Sequence, residues 1–128
     1  MKLWISIAIL TLAVAGLCIW DSIHTNQIFD TMTGKSNYIY SSLQTGDIAD
    51  ENIQKEIISI NDYWTKKMDT LSISISRKDL QPVSDYIQYL YSAITNNSQE
   101  DAITYSRLLC YNIEGLKESN GISFINLL

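Results

Sequence analysis

The sequence predicts an all-α protein: an N-terminal transmembrane helix continuing into a stepped up-down-up-down antiparallel four-helix bundle. Three features of the chain carry this expectation. Leu3 to Trp20 is a run of eighteen residues without a charge. After it, apolar residues recur at spacings of three and four through four successive segments, the helical period. Short polar links separate those segments, and a short link between helices makes antiparallel neighbours, because it cannot carry the chain back to its starting end.

The apolar run comes first. About 18–20 such residues, at ~1.5 Å each, nearly span a ~30 Å hydrocarbon layer. Trp4 and Trp20 bracket the run where indole rings favour the membrane interface, and His24 sits one turn further on. Lys2 precedes the run, whereas Asp21 and Asp30 follow it, which places the N-terminus in the cytoplasm and the body outside. Residues 1–20 are therefore expected to act as an uncleaved signal-anchor in the cell membrane, with 21–128 as an extracytoplasmic helical bundle. Two alternatives stay open. Ala13-Val14-Ala15 matches a small-x-small cleavage site, although cutting there would leave the greasy terminus Gly16-Leu17-Cys18-Ile19-Trp20. Lipid attachment at Cys18 would want a small residue before it and finds Leu17. A pilin-like leader fails, because no acid precedes Asp21.

Helix one of the body is expected over about 21–44, with Ile28, Met32, Ile39 and Leu43 on one face and Gly34 a weak point where it bends. Thr45-Gly46-Asp47 reads as its cap and turn. Helix two, about 50–75, has the clearest stripe: Ile53, Ile57, Ile60, Trp64, Met68, Leu71 and Ile75. Asp47 or Asp50 suits its N-terminus. Leu71-Ser72-Ile73-Ser74-Ile75-Ser76 alternates as a strand would, but no other run of that length alternates in the chain, so helix is preferred.

Helix three, about 79–95, carries Leu80, Val83, Ile87, Leu90 and Ile94, with Ser76 or Asp79 as cap and Pro82 in its first turn. Asn96-Asn97-Ser98 ends it. Helix four, about 99–117, carries Ala102, Tyr105, Leu109, Ile113 and Leu116 after a capping-box-like Ser98 and Asp101. The apolar tail 121–128 is expected to dock on the bundle or near the membrane. Helices one and two, near 25 residues, outrun three and four, near 17–19, hence the step.

Composition narrows function more than it specifies it. The body after Trp20 carries 8 basic and 14 acidic residues, so no basic stripe is available to neutralise phosphates, and nucleic acid is not an expected partner. Cys18 and Cys110 form neither a disulfide framework nor a zinc pattern. The acids Asp47, Asp50, Glu51, Glu100 and Asp101 stand at helix starts, where caps account for them. No catalytic constellation, cofactor site or metal site is expected, and the protein is not read as an enzyme. Tyr63, Trp64, Tyr86, Tyr89 and Tyr91 are the candidate surface for a partner or ligand, since tyrosine packs its ring while keeping its hydroxyl wet.

The N-terminal membrane helix, the mid-chain Trp64, Leu71-Ser72-Ile73-Ser74-Ile75 before a polar turn and Asp79-Leu80, and the terminal Ser123-Phe124-Ile125-Asn126-Leu127-Leu128 together form a recognisable pattern. It resembles a family of small single-membrane-helix proteins from anaerobic endospore-forming Gram-positive bacteria, known only as a domain of unknown function. The resemblance covers essentially the whole chain. His and Glu are common in that family's turn after the second helix, whereas this chain has Ser76-Arg77-Lys78-Asp79, so no role tied to that histidine transfers. What the resemblance implies is a membrane-anchored helical protein of the cell envelope or of spore biology. The leading expectation is a non-enzymatic accessory module contacting the bilayer through residues 3–20 and a protein partner or a second copy through its body. The alternative is a sensor-like bundle holding a small molecule.

Overall fold

No proline interrupts the first 45 residues, and the chain runs through them as one α-helix in a computed structural model that describes residues 2–127, with side chains described except at Ser22 and from 120 onward. This helix, α1 (Lys2–Thr45), is followed by α2 (Glu51–Leu71), α3 (Arg77–Thr95) and α4 (Gln99–Leu127). No strand occurs among the described residues. The fold is all-α, with a long apolar N-terminal helix leading into a bundle.

Pairs across the helices establish the antiparallel order. Lys35 of α1 donates to Ser59 of α2 at 2.9 Å, and Ser74, just past α2, donates to Asp21 at 2.9 Å. Trp64 meets Ser84 and Asn61 meets Gln88 between α2 and α3. Gln99 reaches Leu43, while Lys117 pairs with Asp30, between α4 and α1. Each helix packs on its two neighbours in a ring, α1 on α2 and α4, α3 on α2 and α4.

The core follows the predicted stripes. Ile28, Met32, Ile39 and Leu43 of α1 are buried with Ile53, Ile57, Ile60, Trp64 and Leu71 of α2. Leu80, Val83, Ile87 and Leu90 of α3 and Ala102, Leu109 and Ile113 of α4 complete it. Met68, Ile75, Ile94, Tyr105 and Leu116 lie at its edge. Phe29, Thr25, Ser36 and Ser106 are also buried, outside the predicted stripes. Each buried serine returns its hydroxyl to its own helix, Ser36 to the carbonyl of Thr33 and Ser106 to that of Ile103, so neither leaves an unpaired polar atom inside.

Several boundaries differ from expectation, each for a local reason. Helix α2 ends at Leu71 rather than 75, because the serines that follow offer the backbone other partners. Ser72 Oγ donates to the Asp69 carbonyl at 2.8 Å, Ser74 Oγ to Asp21, and Ser76 Oγ accepts from the Lys78 amide as the cap of α3. The alternating segment is therefore neither strand nor helix throughout but a hydrogen-bonded turn, with Leu71 and Ile75 facing the core and Ile73 facing out. Helix α3 consequently starts at Arg77, and Pro82 falls inside it rather than in its first turn, removing the i+4 donor for the Lys78 carbonyl.

The step also moves. With α2 at 21 residues and α3 at 19, the helices that outrun the rest are α1, at 44, and α4, at 29. Helix α4 continues through Gly121 to Leu127, beyond the end near 117 that the sequence predicts. The expected docking of the tail concerns side chains outside the described residues.

Turn chemistry holds the far end together. At the end of α3, Asn97 takes the left-handed conformation (φ 54°), with Ser98 N–H bonded to Ala93 O and Asn97 N–H to Ile94 O. This is the two-bond pattern that closes a helix on a left-handed residue. Gly46 is used differently. Its φ is not positive, but a Cβ there would stand 2.9 Å from the Ser42 carbonyl oxygen. Asp50 caps α2 through the Asn52 amide, while Asp47 accepts from Ala49 within the turn.

Gln99, at the head of α4, ties these pieces together. Its amide donates to the carbonyls of Leu43 (2.6 Å) and Gly46 (3.1 Å), and its oxygen accepts from the Ile48 amide (2.7 Å). One side chain thus satisfies two carbonyls at the end of α1 and an amide in the following turn.

Chemical denaturation of the full chain in mild detergent tests three of these positions. Gly34→Ala, where a Cβ meets nothing within 4 Å, should stabilise by about 0.5–1 kcal/mol, whereas Gly46→Ala should destabilise by about 1–3 kcal/mol. Gln99→Ala should cost about 2–3 kcal/mol, at roughly 1 kcal/mol net per lost hydrogen bond. A loss below about 0.5 kcal/mol would mean that water replaces the latch.

Candidate functional site

The apolar run is bare. Leu3, Trp4, Ile9, Leu10, Leu12 and Leu17 are all more than 60 % exposed, and none of the most apolar eighteen-residue window of α1 is buried by the rest of the chain. Helix α1 is long and apolar enough to cross a membrane. At the end of this run Trp20 and His24, one turn apart, stack with rings 5.3 Å apart and nearly parallel. Trp4 and Trp20 are both exposed, and His24 is half-buried. Burial begins at Thr25.

The predicted aromatic surface does not form as one patch. Trp64 is a core residue: it is 2 % exposed, and its Nε1 donates to Ser84 Oγ at 2.8 Å, whose hydroxyl lies 3.4 Å from Met68 Sδ. The buried indole N–H is satisfied, so nothing draws Trp64 toward a surface. Tyr86 and Tyr89 form an edge-to-face pair 6.2 Å apart, and Tyr89 also meets Tyr105 of α4 at 5.4 Å. These rings seal the α3–α4 seam, and Tyr86 packs on the core.

Tyr63 and Tyr91 lie elsewhere, one on each side of α2. Tyr63 lines a shallow groove of about 420 Å³ between α1 and α2, beside Lys35, Lys55, Asp62 and Lys66, and Lys67 sits 5.8 Å over its ring. Tyr91 lines a groove of about 260 Å³ between α2 and α3, with Gln54, Ile94 and Thr95. Ile58, about half exposed, borders both grooves and joins them into one outward face of α2. The sequence holds a signal for Ile58. It follows Ile57 directly, so it cannot share the core-facing stripe, and an isoleucine off the stripe of an amphipathic helix must meet solvent or a partner.

A third and larger groove, about 650 Å³, opens between the start of α3 and the second half of α4. Ser74, Lys78, Asp79, Pro82, Tyr111 and Asn112 are among its walls. It is polar and apolar in similar measure and open to solvent. Among the described residues, no three His, Cys, Asp or Glu side chains converge as a metal would require.

Cys110 is half-buried between α4 and α1. Burial pushes its thiol above the ordinary value, and the nearby Glu114 charge adds to that, while a hydrogen bond with Ser36 works the other way. A raised thiol is a poor nucleophile near neutral pH.

Compared with known proteins, the chain matches no family model, no curated protein and no solved structure.

In Cys18→Ser protein, alkylation of Cys110 by iodoacetamide should therefore rise only at higher pH than that of free cysteine. A rate profile displaced to lower pH would assign Cys110 a reactive role instead.

Proposed function

We propose that this protein is a single-pass, membrane-anchored helical module that works by protein contact rather than catalysis, as an accessory of a cell-envelope complex. In this reading Leu3–Trp20 spans the bilayer, the N-terminus is cytoplasmic and the bundle is outside, in keeping with the family resemblance drawn from the sequence. The observation that carries it is the contrast along α1: a bare apolar run, then a stripe buried where α1 packs on α2 and α4. A segment that buries nothing against its own chain has lipid as its natural solvent.

The outward face of α2 is the proposed partner surface. Ile58, Tyr63 and Tyr91 give it an apolar and aromatic centre, and around it Lys35, Lys55 and Lys66 outnumber Asp62 on a body that is otherwise acidic. That arrangement suits a partner presenting an apolar patch edged with acids. The alternative, a sensor-like bundle, finds its support in the groove beside Tyr111 and Asn112, which has the size for a small ligand.

Crosslinking in native membranes followed by mass spectrometry tests the leading reading. Crosslinks to a membrane-associated partner should map to α2 and fall at least about tenfold in Ile58→Asp, which leaves the core intact. Recovery of no chain but this one, or crosslinks indifferent to Ile58→Asp, would remove the accessory role.

A further inference from the structure

We infer that the α2–α3 turn is a second membrane contact, in which Ile73 enters the headgroup region of the same bilayer that holds α1. The inference rests on the membrane-anchor reading and adds a fixed orientation to it: the bundle stands on two points instead of swinging from one.

Ile73 is 84 % exposed, more than Trp4 at 78 % or the exposed leucines and isoleucines of the apolar run. Flexibility does not account for this, because its neighbours are held. Leu71 is buried and Ile75 packs on the core. The amides of Ser72, Ile73, Ser74 and Ile75 all bond back into the last turn of α2. The turn is a rigid platform that presents one isoleucine outward.

Its height relative to the anchor is set by one contact. Ser74 Oγ donates to Asp21 Oδ2 at 2.9 Å, and Asp21 directly follows Trp20. With a helical rise of ~1.5 Å per residue, the turn lies level with the last residue of the apolar run to within a few ångströms. Where Trp20 sits at the interface, Ile73 sits there also. The same side chain on the α1–α2 turn, at the other end of the bundle, would face only water.

Charge identifies the kind of contact. Arg77 and Lys78 follow the turn, but Arg77 pairs with Asp69 at 2.9 Å, Asp79 shares a groove wall with Lys78, and Asp21 is bonded to Ser74 of the turn itself. This end of the bundle has no surplus of cations, so the contact is apolar insertion and should not need anionic lipid.

The test uses the full chain, with Cys18 and Cys110 replaced by serine, in phosphatidylcholine nanodiscs. Nitroxides are placed singly at positions 10, 73, 78 and 47, and their accessibility to oxygen and to a water-soluble nickel complex is read by electron paramagnetic resonance. Position 10 should be deep in lipid, 73 shallow in lipid, and 47, on the α1–α2 turn, aqueous. The pattern should persist when phosphatidylglycerol is added. Because a nitroxide at 73 is itself apolar, position 78 is also read with Ile73 present and with Ile73→Ser, which should move it measurably toward water. If 10 is in lipid while 73 is as aqueous as 47, or if 78 ignores Ile73→Ser, the second contact is wrong and the anchor stands. If 73 is shielded from both reagents, protein covers it and the inference fails. If 10 is aqueous, the anchor reading itself falls.

Discussion

Everything in this molecule depends on α1 remaining one unbroken helix across a change of surroundings. A helix satisfies its backbone hydrogen bonds within itself, so it can leave a bare apolar stretch and enter a protein core without exposing a polar peptide group. The change occurs between Trp20, exposed, and Thr25, buried, little more than one turn. From there α1 supplies Ile28, Phe29, Met32, Ile39 and Leu43 to the core, so the first stave of the bundle is also the stem that leaves it. A break in this turn would uncouple the two halves while leaving each locally intact.

The other three helices complete a ring with that stave by matching small polar groups rather than excluding them. Ser36 and Ser106 are fully buried, yet each bonds to its own helix, and the Trp64–Ser84–Met68 chain satisfies the largest side chain of the core. At the far end Gln99 does for the end of α1 what a dedicated C-cap would do, but from 51 to 56 residues away in sequence. At the near end Ser74 and Asp21 hold the α2–α3 turn against the start of the body. The bundle is therefore pinned at both ends by side chains from turns and helix starts, with hydrophobic burial between them.

How much of this was legible in the sequence depends on whether the signal was local. The stripes of α2 and α3 read correctly because each core position repeats every three or four residues, and one face of a helix can be seen without knowing its neighbour. Ile73 and the early end of α2 were not legible by the same means. Leu71, Ile73 and Ile75 are equally apolar, and the helix ends where Ser72 bonds to the Asp69 carbonyl, Ser74 to Asp21 and Ser76 to the Lys78 amide. Gln99 was invisible for the same reason, since its partners come from another part of the chain. The pattern of the sequence places Trp64 both on the core stripe and among the surface aromatics, and Ser84 across the α2–α3 interface decides for the core. For the candidate site, composition pointed to tyrosines in general, whereas the pairing of helices sends Tyr63 and Tyr91 to the flanks of α2 and Tyr86 and Tyr89 to the α3–α4 seam.

A filled core has a consequence for where function can reside. Among the described residues, nineteen buried apolar side chains fill the interior of the bundle, so a recognition role of the kind proposed would fall to outer faces and ends. Helix α2 is suited to this because it packs less extensively on its neighbours than α4 does, leaving grooves on both flanks and Ile58 between them. The α2–α3 turn sits at the anchor end and the outward face of α2 rises from it along the bundle. Were the turn seated in lipid beside the anchor, the tilt of that face against the bilayer would be fixed, and it would meet partners standing in the same membrane far more readily than partners free in solution. Orientation would then contribute to partner choice without any additional contact.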